Sequence, residues 1–312
     1  MKQLLAFSLL ASICLFACES SGTKLRTRPV QAISFAGEAL YAPTLSPERG
    51  QSLLDKLEEA QEAFDTDPSE INTIWLGRRY AYMSSYNQAI EVYTEGIERF
   101  PDSYRLYRHR GHRYVSTRKL DKAIADFEKA YDLMPKDTLE IEPDGIPNRL
   151  NQPLSNTQFN VLYHLGLAHY LNGNFEKAEE VYTRCLDFCD NADLQVATAD
   201  WLYMTLRRQG KTNAAQTVLN GITNDLEIIE NDSYFKRLMM YKGNLPIDEL
   251  FKTDAEDVAL SLATQGYGMA NWYLYNGDTT KAMEIYQQIL QGESWSPFGY
   301  IAAEADVYSL SK

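Results

Sequence analysis

Residues 77–101 read GRRYAYMSSYNQAIEVYTEGIERFP, and residues 111–135 read GHRYVSTRKLDKAIADFEKAYDLMP. The two stretches start 34 residues apart and obey one template. Counted from the first glycine, a small residue (Gly77, Gly111) is followed by an aromatic at +3 (Tyr80, Tyr114) and alanine at +12 (Ala89, Ala123). A second aromatic stands at +16 (Tyr93, Phe127), a small residue at +19 (Gly96, Ala130) and proline at +24 (Pro101, Pro135). The physical content is a pair of helices. The glycine lets a second helix pack close, the alanine is its small partner, and the aromatics fill the space between. Proline ends the second helix because it cannot continue one.

With Trp75 and Tyr107 ahead of the two glycines, the pattern resembles the tetratricopeptide repeat (TPR) family. A helix pair of this size cannot bury its apolar face alone, so copies stack. The resemblance implies an all-α, right-handed helix-pair solenoid whose concave surface binds something. It implies an architecture and not a reaction.

A third copy aligns on Gly166, with Gly173, Phe175, Ala178 and Tyr182, after an insertion at 138–158. A fourth aligns on Trp201, Gly210 and Ala215, and a last one on Tyr273, Gly277, Ala282 and Tyr286. The expected division is a signal peptide at 1–17, a tether at 18–45 and a solenoid over 46–312. Within the solenoid, repeats fall near 70–103, 104–137, 159–192 and 196–229, a degenerate one over 230–262, another at 263–296 and a capping helix at 297–312. That makes about five repeats with an insertion after the second, and no sheet is expected.

Lys2, the apolar run Leu4–Ala17 and Cys18 have the form of a bacterial lipoprotein signal, with Leu15-Phe16-Ala17-Cys18 resembling a lipobox. The resemblance implies cleavage before Cys18, acylation of Cys18 (including by palmitate), and a protein tethered to a cell-envelope membrane, facing the periplasm or the outside. Residues 19–45, with Pro29, Gly37 and Pro43, read as that tether. Of the other cysteines, Cys185 occupies a small core position. A bridge to Cys189 would have poor geometry unless the helix ends before Cys189.

The chain has 43 acidic against 30 basic residues and a net charge of −13, so no nucleic-acid partner is expected. Yet residues 99–119 hold Arg99, Arg105, Arg108, Arg110, Arg113, Arg118 and Lys119 against Asp102. Arg105, Arg108, His109 and His112 follow i, i+3, i+4, i+7 and share one helix face. TPR first helices line the concave groove. The resemblance therefore assigns Arg78, Arg105, Arg108, His109, His112, Asn160, Tyr163, His164, Tyr170 and Arg207 to a basic, His/Tyr-lined groove for a protein segment or anionic ligand. The partner expected is an acidic or extended protein segment. The competing reading is that the arginines only balance the acidic neighbours Asp132, Asp137, Glu140, Glu142 and Asp144. The two readings are compatible if the insertion is a lid.

Arg110 stands at a position that is apolar in neighbouring copies (Leu76, Leu165), so it needs a partner, Asp126 or a carboxylate of the insertion. The arginines around the histidines oppose a metal cation. No catalytic, phosphate-loop or zinc-protease motif is present, so no cofactor, metal or catalytic residue is assigned. The carboxylate clamp of some TPR proteins fails, because its positions hold Ile74, Arg78 and His109. A binding scaffold is the leading function. The alternatives are a small-ligand or enzymatic site under the insertion, and a cell-envelope assembly factor.

Overall fold

A computed structural model of the chain describes residues 28–143, 147–251 and 258–312. The signal peptide and Cys18 lie outside the described residues. α1 (Pro47–Thr66) opens the helical part, started by Pro47 in its first turn and by Ser46, whose side chain accepts from the Arg49 amide. Five helix pairs follow: α2 (Glu70–Tyr82) with α3 (Tyr86–Arg99), α4 (Tyr104–Ser116) with α5 (Leu120–Leu133), α6 (Thr157–Leu171) with α7 (Phe175–Cys185), α8 (Ala192–Arg208) with α9 (Thr212–Asn220), and α11 (Val258–Tyr275) with α12 (Thr279–Leu290). Between the last two pairs stands α10 (Asp232–Tyr241), followed by a 3-10 turn at Ile247–Phe251. α13 (Phe298–Leu310) closes the chain. The fold is an all-α solenoid of stacked helix pairs with one continuous core running from Ala32 to Ala303.

The template glycines set the spacing within each pair. A methyl group at Gly111 would lie 2.9 Å from the Phe127 ring, and at Gly166 it would lie 2.7 Å from Tyr182. At Gly77 it would collide with Tyr93. The aromatic at +16 therefore occupies the space that the missing side chain leaves.

The turn inside each pair needs one residue in the left-handed region. Gly173, Gly210 and Gly277 supply it in the later pairs, but Ser84 (φ 57°) and Arg118 (φ 61°) supply it in the first two. A side chain there costs about 1–2 kcal/mol, so Arg118 must be held by something else.

One expectation fails locally. Residues 28–45 are not bare tether: β1 (Val30–Ile33) and β2 (Ala39–Tyr41) form an antiparallel hairpin around a turn at Gly37. Gln31 and Ala32 are both buried while Val30 and Ile33 stay exposed, a departure from strict alternation that fits the break in the ladder between Val30 and Ala32. The hairpin docks on the far end of the chain. Trp295 donates to the Tyr41 carbonyl at 2.6 Å, and the Phe35 amide donates to Glu304 at 2.6 Å.

Those contacts belong to a larger closure. Arg118 donates to Glu304 and to the Trp295 carbonyl, at 2.6 and 2.9 Å. Arg208 meets Asp306 at 2.8 Å, and Tyr267 and Tyr286 donate to the same carboxylate. The solenoid thus curls until α13 and the segment before it lie across the concave side. With α5 and α7 packed on its flanks and Phe298 at the start of α13 against His164, every residue of α6 is buried.

Candidate functional site

α2, α4, α6 and α8 line the concave side, and α4 brings the arginines to it. Its first turn is fixed by Ser103, which accepts from the Leu106 amide. The groove expected to be basic is covered and neutralised along this stretch, because the insertion lies on it. Arg105 pairs with Glu140 at 2.6 Å and with Glu70 at 3.4 Å. Arg108 pairs with Glu142 at 3.0 Å, and both side chains are nearly buried. Arg78 donates to the Pro143 carbonyl at 2.8 Å, and Asn160 donates to Glu142 at 3.1 Å. The physical reason is charge: Glu140 and Glu142 of the insertion offset Arg105 and Arg108, which share one face of α4.

The insertion is anchored to do this. Ile141 bridges Asn156, the Glu142 amide donates to the Ser155 carbonyl, and Thr157 donates to that of Glu140. Gln158, fully buried, accepts from the Glu140 amide and donates to the carbonyls of Pro135 and Thr138.

The histidines lie deeper. His112 and His164 pack with their rings tilted by 40° and centroids 4.4 Å apart, and Phe298 packs on both, at 5.3 and 5.5 Å. His109 stacks on Tyr93 and lies 3.0 Å, through Nδ1, from an Arg108 Nη. Burial holds all three well below the ordinary imidazole value, and the nearby arginines push the same way. Neutral His109 therefore accepts from Arg108 at Nδ1. His164 donates from Nδ1 to the Asn160 carbonyl at 2.5 Å. Among the described residues no cluster of three or more histidine, cysteine or acidic side chains is arranged for a metal ion.

Tyr163 and Tyr170 are buried hydrogen-bond nodes. Tyr163 accepts from Trp201 Nε1 at 2.8 Å and lies 2.8 Å from the Tyr234 hydroxyl. Tyr170 accepts from Asn271 and lies 2.7 Å from the Tyr267 hydroxyl. Arg207 lies apart from the α4 cluster, spanning Tyr203 and Asn276 over the ring of Tyr275. Of the residues read from sequence, then, Arg78, Arg105, Arg108, His109, His112, Asn160, Tyr163 and His164 come together, while Tyr170 and Arg207 belong to the α8–α11 side.

Models of the tetratricopeptide repeat match residues 76–138, 159–192 and 266–291. The chain carries tetratricopeptide repeats. No curated protein matches this TPR chain in sequence. Similar solved structures include YrrB, a TPR protein with an unusual peptide-binding site (15% identity, 80% of this chain and 99% of that one, TM-score 0.43). A tetratricopeptide repeat protein from Parabacteroides merdae is similar at 13% identity, over 82% of this chain and 93% of that one, with TM-score 0.49. PilW, a type IV pilus biogenesis factor, is similar at 18% identity, over 81% and 91%, with TM-score 0.44.

Closure of the TPR solenoid leaves two adjoining chambers on the concave side. The larger, about 350 Å³, lies beneath residues 296–299 and is walled by Tyr86, Trp201, Tyr267 and Phe298. The smaller, about 140 Å³, lies against Arg78, Arg108 and Glu142. His112 and Arg113 line both. Sequence reasoning counted Arg113 in the basic cluster without assigning it to the site, and it missed Tyr234 and Arg237. Arg237 is buried and paired with Asp200 at 2.5 and 3.0 Å. No periodic signal marks these residues, because α10 stands outside the repeat template.

Proposed function

We propose that this TPR chain is a lipid-anchored scaffold at a cell-envelope membrane that holds an extended acidic segment of a protein partner along the arginine row of α4. The observation that carries the reading is how the insertion itself lies on that row. Glu140 and Glu142 stand two apart in extended chain, so their side chains fall on one side. They meet Arg105 and Arg108, while Ile141 between them is 67% exposed. Arg78 takes the next main-chain carbonyl, that of Pro143. The row already accommodates an acidic, extended stretch in cis. A partner with carboxylates at alternate positions offers the same pattern and competes for the same cations. The insertion is then a self-occupying lid that a partner must displace.

Calorimetric titration with a peptide carrying glutamate at alternate positions tests this. Glu140→Gln with Glu142→Gln should tighten binding, because glutamine keeps the hydrogen bonds and surrenders the charge. Arg105→Glu with Arg108→Glu should abolish it. Binding should also weaken with salt, as charges exposed after lid displacement are screened over about 8–10 Å. A peptide that binds equally to parent, glutamine and reversed variants would remove this row as the partner site. The anchor has its own test. Cys18→Ser should leave the detergent-rich phase on phase separation, and continued partition there would refute the lipid tether.

A further inference from the structure

The larger chamber has the makings of a second site, distinct from the arginine row. Its size, about 350 Å³, is within the range of small-molecule pockets. Its walls are aromatic, and most of its polar groups, Trp201, Tyr267, Arg237 and Ser116 among them, are spent on other protein groups, whereas Arg113 is not. Arg113 is half-buried beside Tyr86, at 5.3 Å from the ring, and meets neither a carboxylate nor another hydrogen-bond acceptor among the described residues. Arg237, on the same wall, is neutralised by Asp200 and donates its remaining Nη to the Thr264 carbonyl. Among the described residues the chamber therefore carries one uncompensated positive charge, on Arg113.

Three further observations point to an anion. α13 begins in the chamber wall at Pro297–Gly299 and has no side-chain cap. Its first intrahelical bond is Ile301 to Pro297, so the amides of Phe298, Gly299 and Tyr300 have no acceptor among the described residues. Tyr234 is poised to donate: Tyr163 accepts from Trp201 and can give its own proton to Tyr234, which leaves the Tyr234 O–H for the chamber. In the adjoining chamber, the Nε of Arg108 has no partner among the described residues, although the side chain is only 8% exposed.

We propose that this chamber binds a small oxyanion carried on a flat apolar body, an aryl carboxylate or aryl phosphate. The head lies on Arg113, Tyr234 and the α13 amides, and the body lies among Tyr86, Trp201, Tyr267 and Phe298. His112, neutral and without a hydrogen bond to its ring nitrogens among the described residues, borders the head without adding charge.

Tryptophan fluorescence reads the site, since Trp201 is in its wall. The full chain is titrated with benzoate, phenyl phosphate, inorganic phosphate and benzamide. One or both aryl anions should give a saturable change at millimolar concentration or below, benzamide should give none, and inorganic phosphate alone should bind more weakly than phenyl phosphate. Benzoate against phenyl phosphate decides which head the site prefers. Arg113→Met should weaken the aryl anion about tenfold or more, and Tyr234→Phe several-fold. Arg113→Lys, which keeps the charge and the fold but loses the planar fork, should weaken it by an intermediate factor. Glu140→Gln with Glu142→Gln should leave it unchanged, which separates this site from the peptide row. The proposal is overturned if no aryl anion saturates, if benzamide binds as well as benzoate, or if Arg113→Lys and Tyr234→Phe both keep the parent affinity.

Discussion

A methyl group at position 111 has nowhere to go. The Phe127 ring carbons lie 2.9–3.1 Å from where it would sit, and that ring is fully buried. Alanine is the better helix former by about 1 kcal/mol, so on propensity alone Gly111→Ala would stabilise α4. Overpacking in a closed core costs about 1–3 kcal/mol, and here the neighbour is a rigid ring. We expect Gly111→Ala to lower the urea midpoint, and Gly111→Ala with Phe127→Leu to recover part of the loss. If the double variant is no better than the single, the ring is not the obstacle. Arg110 illustrates the same scale for charge. Its neighbours in the template are leucines, which made a partner necessary, and Asp126 supplies it with two bonds of 2.8 Å. The need for a partner was legible from the template, but the choice between Asp126 and a carboxylate of the insertion was not. The pairing of Arg108 with Glu142 was legible only as a possibility, since an insertion has no template to place it.

At the scale of elements, α4 and α6 hold three neutral histidines among arginines. His109, His112 and His164 titrate well below their ordinary value because burial and Arg78, Arg108 and Arg113 disfavour the imidazolium, and Glu142, salt-bridged to Arg108, lies 3.9 Å from His109. In the unfolded chain each titrates near about 6.5. As pH falls below that value the unfolded state takes up protons that the native state does not. Stability contributed by these rings is therefore complete above about pH 6.5 and is lost as pH falls, by up to about 1.4 kcal/mol per pH unit for each ring. Urea midpoints at about pH 7.5, 6.5 and 5.5 should drop, and His112→Gln should make the drop shallower. A midpoint that is flat across this interval would mean that the rings are protonated in the native protein. The insertion is the other informative element. Deleting 142–148 should keep the helical circular-dichroism signal, because these residues lie outside the repeat template, while removing Glu142 from Arg108. A large loss of helix would show that the insertion is part of the core and not a cover on it.

Over the whole molecule, the feature that periodicity could not supply is curvature. Spacings of 34 residues specify helix pairs and their stacking, and the stacking followed from Gly77, Gly111 and Gly166 with their aromatic partners. Whether the stack stays open depends on contacts 177–269 residues apart, such as Arg118 with Trp295 and Phe35 with Glu304. The polar residues that make these contacts, Glu304 and Asp306, stand singly in an otherwise apolar helix and follow no repeat. Arg118 is the joint. It occupies the left-handed turn position that later repeats give to glycine, and its guanidinium is 3% exposed against Glu304. Arg118→Gly removes the backbone cost of about 1–2 kcal/mol but leaves the Glu304 carboxylate buried without its cation, a loss of about 3–5 kcal/mol. The second term is larger, so the variant should be less stable, and α13 with the hairpin should loosen from α4. Small-angle scattering should show a larger radius of gyration, and the larger chamber should lose its aryl-anion affinity because Phe298 and the α13 amides leave its wall. Arg118→Gly with Glu304→Gln removes both the strain and the stranded charge, so it should regain stability over Arg118→Gly alone while keeping the looser shape. A compact and fully stable Arg118→Gly protein would mean that hydrophobic contacts of α13 alone hold the solenoid shut.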